Sequence, residues 1–326
     1  MQNKSSSNRN FFDVSNSNLN LNEYTRQNLK NYLRDFYDFL IRRNFYYFKY
    51  KNFFKKQKYF IILVLPSKGF SDLERKKKLI SMKKIKGKKI LCIGCGNGFE
   101  LLSWLKFKPS YIKAIDIFNY SNSWNKVNKF ILENNFRTKI AFSQKNVLDL
   151  EINEKFDFIV SDAVFEHLKQ FEKVISHSTK LLNDDGVIYA SYGPLWYAYG
   201  GDHFSGRDKI ENGFNHLVLD EKEYFNYFNK NVGNMDYEIK HKGSGGLFVK
   251  EKLFSKIKGN EYMSIFKKND LISEYTVVEF CPTGYNLIMN NKNIKTKIIN
   301  KYPNLNIEDC YLKTQIVYLR KINNPT

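Results

Sequence analysis

The chain has 326 residues, 42% of them hydrophobic and 16% aromatic, which is enough to bury a sizeable core within one elaborated domain. Four cysteines, Cys92, Cys95, Cys281 and Cys310, are too few and too scattered for a disulfide framework and fit a reducing compartment. The net charge of +20 points toward an anionic partner such as nucleic acid or a membrane surface, but Lys, Asn, Ile, Tyr and Phe are enriched together along the whole chain, so an AT-rich coding sequence accounts for a diffuse lysine excess without any ligand.

Residues 1–20 are polar, rich in Ser and Asn, and read as a disordered tail. They lack the apolar h-region of a secretory signal, and the most apolar run, Tyr59 to Pro66, is far short of the roughly 20 residues that cross a bilayer, so no transmembrane segment is expected and the protein reads as soluble and cytoplasmic. Residues 21–85 read as a helical lid and linker, with Leu29, Leu33, Phe36, Tyr37 and Leu40 at helix-like spacings. Its stretch from Arg42 to Lys49 interleaves bases with aromatics. Such a pattern suits single-stranded nucleic acid, anionic lipid, or an amphipathic lid with a solvated lysine face.

From Lys88 onward, short apolar runs alternate with helical stretches, the signature of βαβ units on a parallel sheet. Strands are predicted at Lys89 to Ile93, Tyr111 to Ile117, Lys139 to Phe142, Phe156 to Ser161 and Gly186 to Ser191, and helices at Phe99 to Phe107, Asn122 to Asn134 and Phe171 to Leu182. Residues 86–192 thus form the core. Residues 193–270, rich in Gly, Tyr, His and Asp, read as an insertion that carries substrate contacts, and residues 271–326 supply a sixth strand at Thr276 to Phe280 and a seventh at Thr314 to Leu319. The expected fold is α/β: a doubly wound, mostly parallel, seven-stranded Rossmann-like sheet with an N-terminal helical extension and an insertion after strand five.

Directly after the first strand stands Gly94-Cys95-Gly96-Asn97-Gly98, a glycine turn that brings backbone close to a ligand and aims helix N-terminal amides at it. The dinucleotide fingerprint needs a glycine at 99, where this chain has Phe99, which argues against a nicotinamide oxidoreductase. Asp116 closes the second strand, where a carboxylate can accept from both hydroxyls of a ribose. Past strand three, Asn146 can accept from an adenine amine and the Val147 amide can donate to the ring. Cys92 and Cys95 have Cys-x-x-Cys spacing but no second Cys or His pair nearby, so no metal or redox role is assigned to them.

These residues, with Phe156-Asp157-Phe158-Ile159-Val160-Ser161-Asp162-Ala163-Val164-Phe165-Glu166-His167-Leu168 and Leu181 to Gly186, make residues 88–192 resemble a class I S-adenosylmethionine-dependent methyltransferase. The resemblance implies S-adenosylmethionine as cofactor. It places the methionine part on Gly94, Cys95, Gly96 and Gly98, the ribose on Asp116, and adenine at Asn146 and Val147; Ile117 and Asp162 complete the implied cofactor contacts. Cys92 stands where the family usually has an acid, and Asn146 where it usually has Asp. The implied activity is methyl transfer to an oxygen, or second to a nitrogen, of a small molecule or glycan. The alternatives are a nucleic-acid methyltransferase, though Ser161-Asp162-Ala163-Val164 lacks the Asn-Pro-Pro-Tyr pattern, and a non-catalytic cofactor-binding protein.

Gly193-Pro194-Leu195-Trp196 followed by His203 and His216 resembles a subgroup of bacterial methyltransferases with that motif and two downstream histidines. His203 is the candidate general base or hydroxyl anchor, with Asp202 or Asp208 to orient it and His216 as second candidate. A metal shared by Asp202, His203 and His216 matches no standard ligand spacing, so no metal is assigned. Glu166 and His167 are read as lining the pocket or bonded to backbone, and Trp196, Tyr197, Tyr199 and Phe204 as facing a sugar or aromatic acceptor or packing the insertion. No motif specifies an oligomeric state.

Overall fold

The computed structural model describes residues 84–232, 249 and 252–322; the tail expected at 1–20, the lid and linker as far as residue 83, and part of the insertion lie outside them. The first five strands are β1 (Lys89–Ile93), β2 (Tyr111–Asp116), β3 (Lys139–Gln144), β4 (Phe156–Asp162) and β5 (Leu182–Tyr192). Helices α1 (Leu101–Leu105), α2 (Ser121–Glu133) and α3 (Phe171–Leu181) connect them. After β5 come α4 (Asn215–Val218), α5 (Glu221–Val232), α6 (Gly259–Lys268), β6 (Leu271–Phe280), α7 (Pro282–Asn290), α8 (Lys292–Lys301) and β7 (Leu312–Lys321).

The sheet order is β3-β2-β1-β4-β5-β7-β6. Strands β1 to β5 pair in parallel, while β7 lies antiparallel between β5 and β6. The side-chain period of two divides each central strand between two cores. Ile90, Cys92, Val160 and Tyr189 face Leu102, Trp104 and Val127 of α1 and α2. Leu91, Ile93, Ile159 and Ile188 face Phe171, Val174 and Ile175 of α3. Burial on both faces explains why these strands read as nearly continuous apolar runs.

Strand boundaries differ from expectation where polar residues sit in the ladder. β5 begins at Leu182, paired with Phe156, because the irregularity between Phe156 and Phe158 absorbs the Asn-Asp-Asp stretch that reads as a turn. β6 begins at Leu271, since an edge strand keeps its backbone pairing to β7 through Ser273 whatever its side chains are. Helix α6, inside the predicted insertion, sends Tyr262 and Phe266 into the sheet core against Phe171. Among the described residues no helix is long and apolar enough to cross a membrane.

The parallel arrangement brings the C-terminal ends of β1, β2, β4 and β5 to one edge, where a doubly wound sheet binds its ligands. Ile159, fully buried in a central strand, reports on this core. Ile159→Ala is expected to lower unfolding free energy by about 3 kcal/mol through lost burial and a residual cavity, read as a reduced midpoint in urea denaturation.

Candidate active site

The glycine turn is fixed from below by β2: Gly94 and Cys95 N–H both donate to Ile115 O, at 2.9 and 3.0 Å, and Gly98 N–H donates to Cys95 O at 2.8 Å. Gly94 has φ +72°, and a Cβ there would lie 2.3 Å from Cγ2 of Val164, so only glycine lets the turn meet the segment after β4. Gly96 has φ +50°, yet a Cβ there would meet nothing within 4 Å, so the turn is open on that side.

Asp116 joins the two strand ends. Its Oδ2 accepts from Gly96 N–H at 2.8 Å and its Oδ1 from Phe118 N–H at 2.9 Å. Burial nonetheless raises its pKa, outweighing the lowering by backbone hydrogen bonds from Phe118, Gly96 and Ile117. Each oxygen keeps a lone pair for a further donor. Trp124 braces the turn from α2: its Nε1–H donates to Gly96 O at 2.8 Å while the indole stacks on Phe142 at 5.4 Å and 8°. The hydrogen bond of Trp124 to a turn 28 positions away has no local signal in the sequence.

Around this pair, Ile117 follows Asp116 and is 53% exposed, a large apolar side chain left uncovered at the sheet edge. Asn146 Oδ1 caps the short turn Val147–Asp149 by accepting from Leu148 N–H at 3.0 Å, and Val147 is buried beneath it. Asp162 ends β4, paired in register with Ser191 of β5. Cys92 and Cys95 are reduced and buried, and burial pushes the Cys95 thiol far up.

A second cluster lies just past Val164. Glu166, His167 and His203 place one ligand atom each within 4.8 Å of one another, and the two imidazoles are 4.9 Å apart. Phe254 packs on both rings, and Trp196 packs on Phe254. Glu166 is 1% exposed; its Oε1 accepts from Gly193 N–H at 3.0 Å. Burial pushes its pKa up to about 8, and the Asp162 charge adds to this against the lowering effect of the Gly193 bond. His167 Nδ1 lies 2.7 Å from Leu253 O; a carbonyl only accepts, so the proton sits on Nδ1 and Nε2 carries the lone pair. Burial pushes His167 down to about 4. It also holds His203 well below the usual histidine range, with His167, Arg207 and Lys313 adding to the effect.

The other sequence candidates have different surroundings. Asp202 is fully buried and accepts from Phe204 N–H, Ser205 N–H, the Ser205 hydroxyl and the Tyr224 hydroxyl. His216 sits beside it, with Nε2 donating to Trp196 O at 2.8 Å and Nδ1 at 3.7 Å from Asp202, beyond hydrogen-bond range. Asp208 accepts from Asn212 and Tyr227. The structure therefore gathers His203 with Glu166 and His167, and gathers Asp202 with Ser205, Tyr224 and His216.

A glycine turn facing an acid at the end of the neighbouring strand, on a sheet of this order, defines a class I methyltransferase core. Residues 67–228 match a family model described as a methyltransferase domain, and the chain carries a class I S-adenosylmethionine-dependent methyltransferase domain with S-adenosylmethionine as its cofactor. The open side of Gly96 and the remaining acceptor capacity of Asp116 fit that cofactor. The tRNA U34 carboxymethyltransferase of Campylobacter lari is 30% identical over 110 residues, which is 33% of this chain and 36% of that protein, so the chain spans about a third of the curated relative it matches. Among solved structures, an S-adenosylmethionine dependent methyltransferase from Mesorhizobium loti has a TM-score of 0.44 at 13% identity, covering 75% of this chain and 96% of that one. The geranyl diphosphate C-methyltransferase of Streptomyces coelicolor has a TM-score of 0.46 at 11% identity, covering 77% and 79%.

The Asp202 network holds the loop that carries His203, and its removal orphans several buried donors at once. Asp202→Ala is expected to cost about 3 kcal/mol, while Tyr224→Phe, which removes a single donor, costs about 1 kcal/mol; urea unfolding of both variants measures the difference.

Proposed function

We propose that the chain transfers the methyl group of S-adenosylmethionine to an oxygen of a small molecule or glycan, with nitrogen as the second choice of acceptor atom. The cofactor, when bound, supplies an electrophilic methyl group on a positively charged sulfur. The backbone of Gly94, Cys95, Gly96 and Gly98 flanks its methionine part, Asp116 accepts from the ribose hydroxyls, Ile117 and Val147 border the base with Asn146, and Asp162 stands at the same sheet edge.

The observation that carries the reading is the join between the two clusters. Gly94 touches Val164, and two residues on begins the Glu166-His167 pair that meets His203. His203, kept neutral by burial, can take the proton of an acceptor hydroxyl or hold its oxygen. A neutral imidazole also avoids repelling the cofactor's positive sulfur. Asp202 and His216 act through His203 as positioning residues. Trp196 and Phe254 offer flat apolar faces beside it.

A second reading, a nucleic-acid acceptor, draws on the local likeness to a protein named as a tRNA U34 carboxymethyltransferase and on the charge of +20. Labelled cofactor offered to the enzyme with tRNA, and separately with hydroxylated small molecules and glycans, separates the two. Retention of tRNA that falls steeply with added salt supports the second.

Calorimetry tests the cofactor site itself. The intact chain is expected to bind S-adenosylhomocysteine at micromolar concentration, and Asp116→Ala to lose at least tenfold in affinity, about 1.4 kcal/mol. Equal binding by the variant would sink the assignment of Asp116.

A further inference from the structure

We propose that Glu166, His167 and His203 form a binding site for one divalent cation of the first transition row, held by two imidazole nitrogens and one carboxylate oxygen. Three observations about the donors carry it. They lie within 4.8 Å of one another, the one such grouping of His, Cys, Asp or Glu among the described residues. Glu166 is buried with only Oε1 satisfied; among the described residues nothing hydrogen-bonds its Oε2. His167 gives its Nδ1 proton to Leu253 O, which makes Nε2 the nitrogen that bears the lone pair.

That last arrangement is how a ligating histidine is usually oriented: a carbonyl behind the ring fixes the tautomer and leaves the other nitrogen to the metal. Leaving one oxygen of a buried carboxylate unsatisfied is costly, and a bound cation removes that cost in place. Two neutral imidazoles with one carboxylate form the donor set that suits zinc, manganese or ferrous iron while leaving coordination positions open. With ligand bonds of about 2.1 Å, tetrahedral or facial donors sit roughly 3.0–3.4 Å apart, so any pair at the 4.8 Å limit closes by more than about 1 Å when the ion binds. His203 stands on a loop whose residues 202 to 205 are pinned by Asp202, and His167 is pinned by Leu253, so the site is built on two anchored segments.

The role of the cation rests on the function proposed above. Its open positions would bind an oxygen donor of the acceptor, a hydroxyl or carboxylate, beside the segment that touches the glycine turn. His203 then holds the acceptor oxygen through the ion and does not take its proton directly. The Asp202 and His216 pair is a separate network, bonded to Ser205, Tyr224 and Trp196.

The test uses the full chain stripped with EDTA and titrated with cobalt(II) alone. One equivalent per chain should bind, with a visible d–d band and no near-ultraviolet thiolate charge-transfer band. His203→Asn, which tolerates the left-handed backbone at this position, and Glu166→Gln, which keeps the Gly193 contact, should each weaken binding at least tenfold. His177→Gln should leave it unchanged. Calorimetry with S-adenosylhomocysteine on the same samples checks that the cofactor site has survived. Absence of stoichiometric binding by the intact chain overturns the inference and means that the cluster holds a proton only. A thiolate band, or full binding by both variants, overturns it as well. Because cobalt binding needs no cofactor, loss of the metal site with retained S-adenosylhomocysteine binding refutes this inference alone. Loss of cofactor binding with retained cobalt refutes the methyltransfer reading alone.

Discussion

The hydrogen bond from Gly96 N–H to Asp116 is the contact that holds the glycine turn against the end of β2. It ties the loop after β1 to the end of β2, with Gly96 in a left-handed conformation and Trp124 holding the next peptide group of the turn through Gly96 O. The carboxylate is buried enough that its charged form is under-solvated despite its backbone donors. Further hydroxyl donors would offset that cost, so the site is arranged to gain more from a diol than an exposed aspartate would.

Charge in the neighbouring cluster follows the opposite logic. His167 and His203 are kept neutral by burial, and for His203 the nearby Arg207 and Lys313 add to that effect. The acidic groups present are Glu166 and Asp162; burial, with the Asp162 charge adding to it, pushes the Glu166 pKa up to about 8. A neutral pair of rings beside two acids suits a place where positive charge has to be brought in, whether on a sulfonium or on a metal ion, since an imidazolium would oppose both.

The parts legible in the sequence are those encoded locally. Strands β1 to β5, the glycine turn and Asp116 each sit within a few residues of the pattern that reveals them, and a parallel order forces their ends onto one edge. The beginnings of β5 and β6 were hidden because backbone pairing continues past the residues that break the apolar pattern. Helix α6 was hidden inside a polar insertion because its fully buried anchors are two, Tyr262 and Phe266, with Met263 and Ile265 half-buried at the margin of the same core. The grouping of Glu166 and His167 with His203 has no sequence signal at all, and neither does Leu253, which lies 86 residues from the His167 it fixes. Adjacency in the chain suggested that Asp202 orients His203; in space its oxygens serve Ser205, Phe204 and Tyr224.

That use of Asp202 explains how His203 keeps its backbone. A non-glycine residue at φ +63° is uncommon and persists only where the surroundings over-determine it. Here His203 N–H donates to Gly200 O on one side, and Asp202 draws in the N–H groups of Phe204 and Ser205 on the other. His216 closes the arrangement by donating its backbone N–H to the Ser205 hydroxyl and its ring Nε2 proton to Trp196 O. Asp202, offered by the sequence as an orienting partner, and His216, offered as the second candidate base, thus hold the backbone around His203, whose ring lies 4.9 Å from that of His167. A local strain held by a buried polar network positions the imidazole more firmly than a single orienting hydrogen bond from an exposed carboxylate could, because displacing it requires several buried bonds to break together.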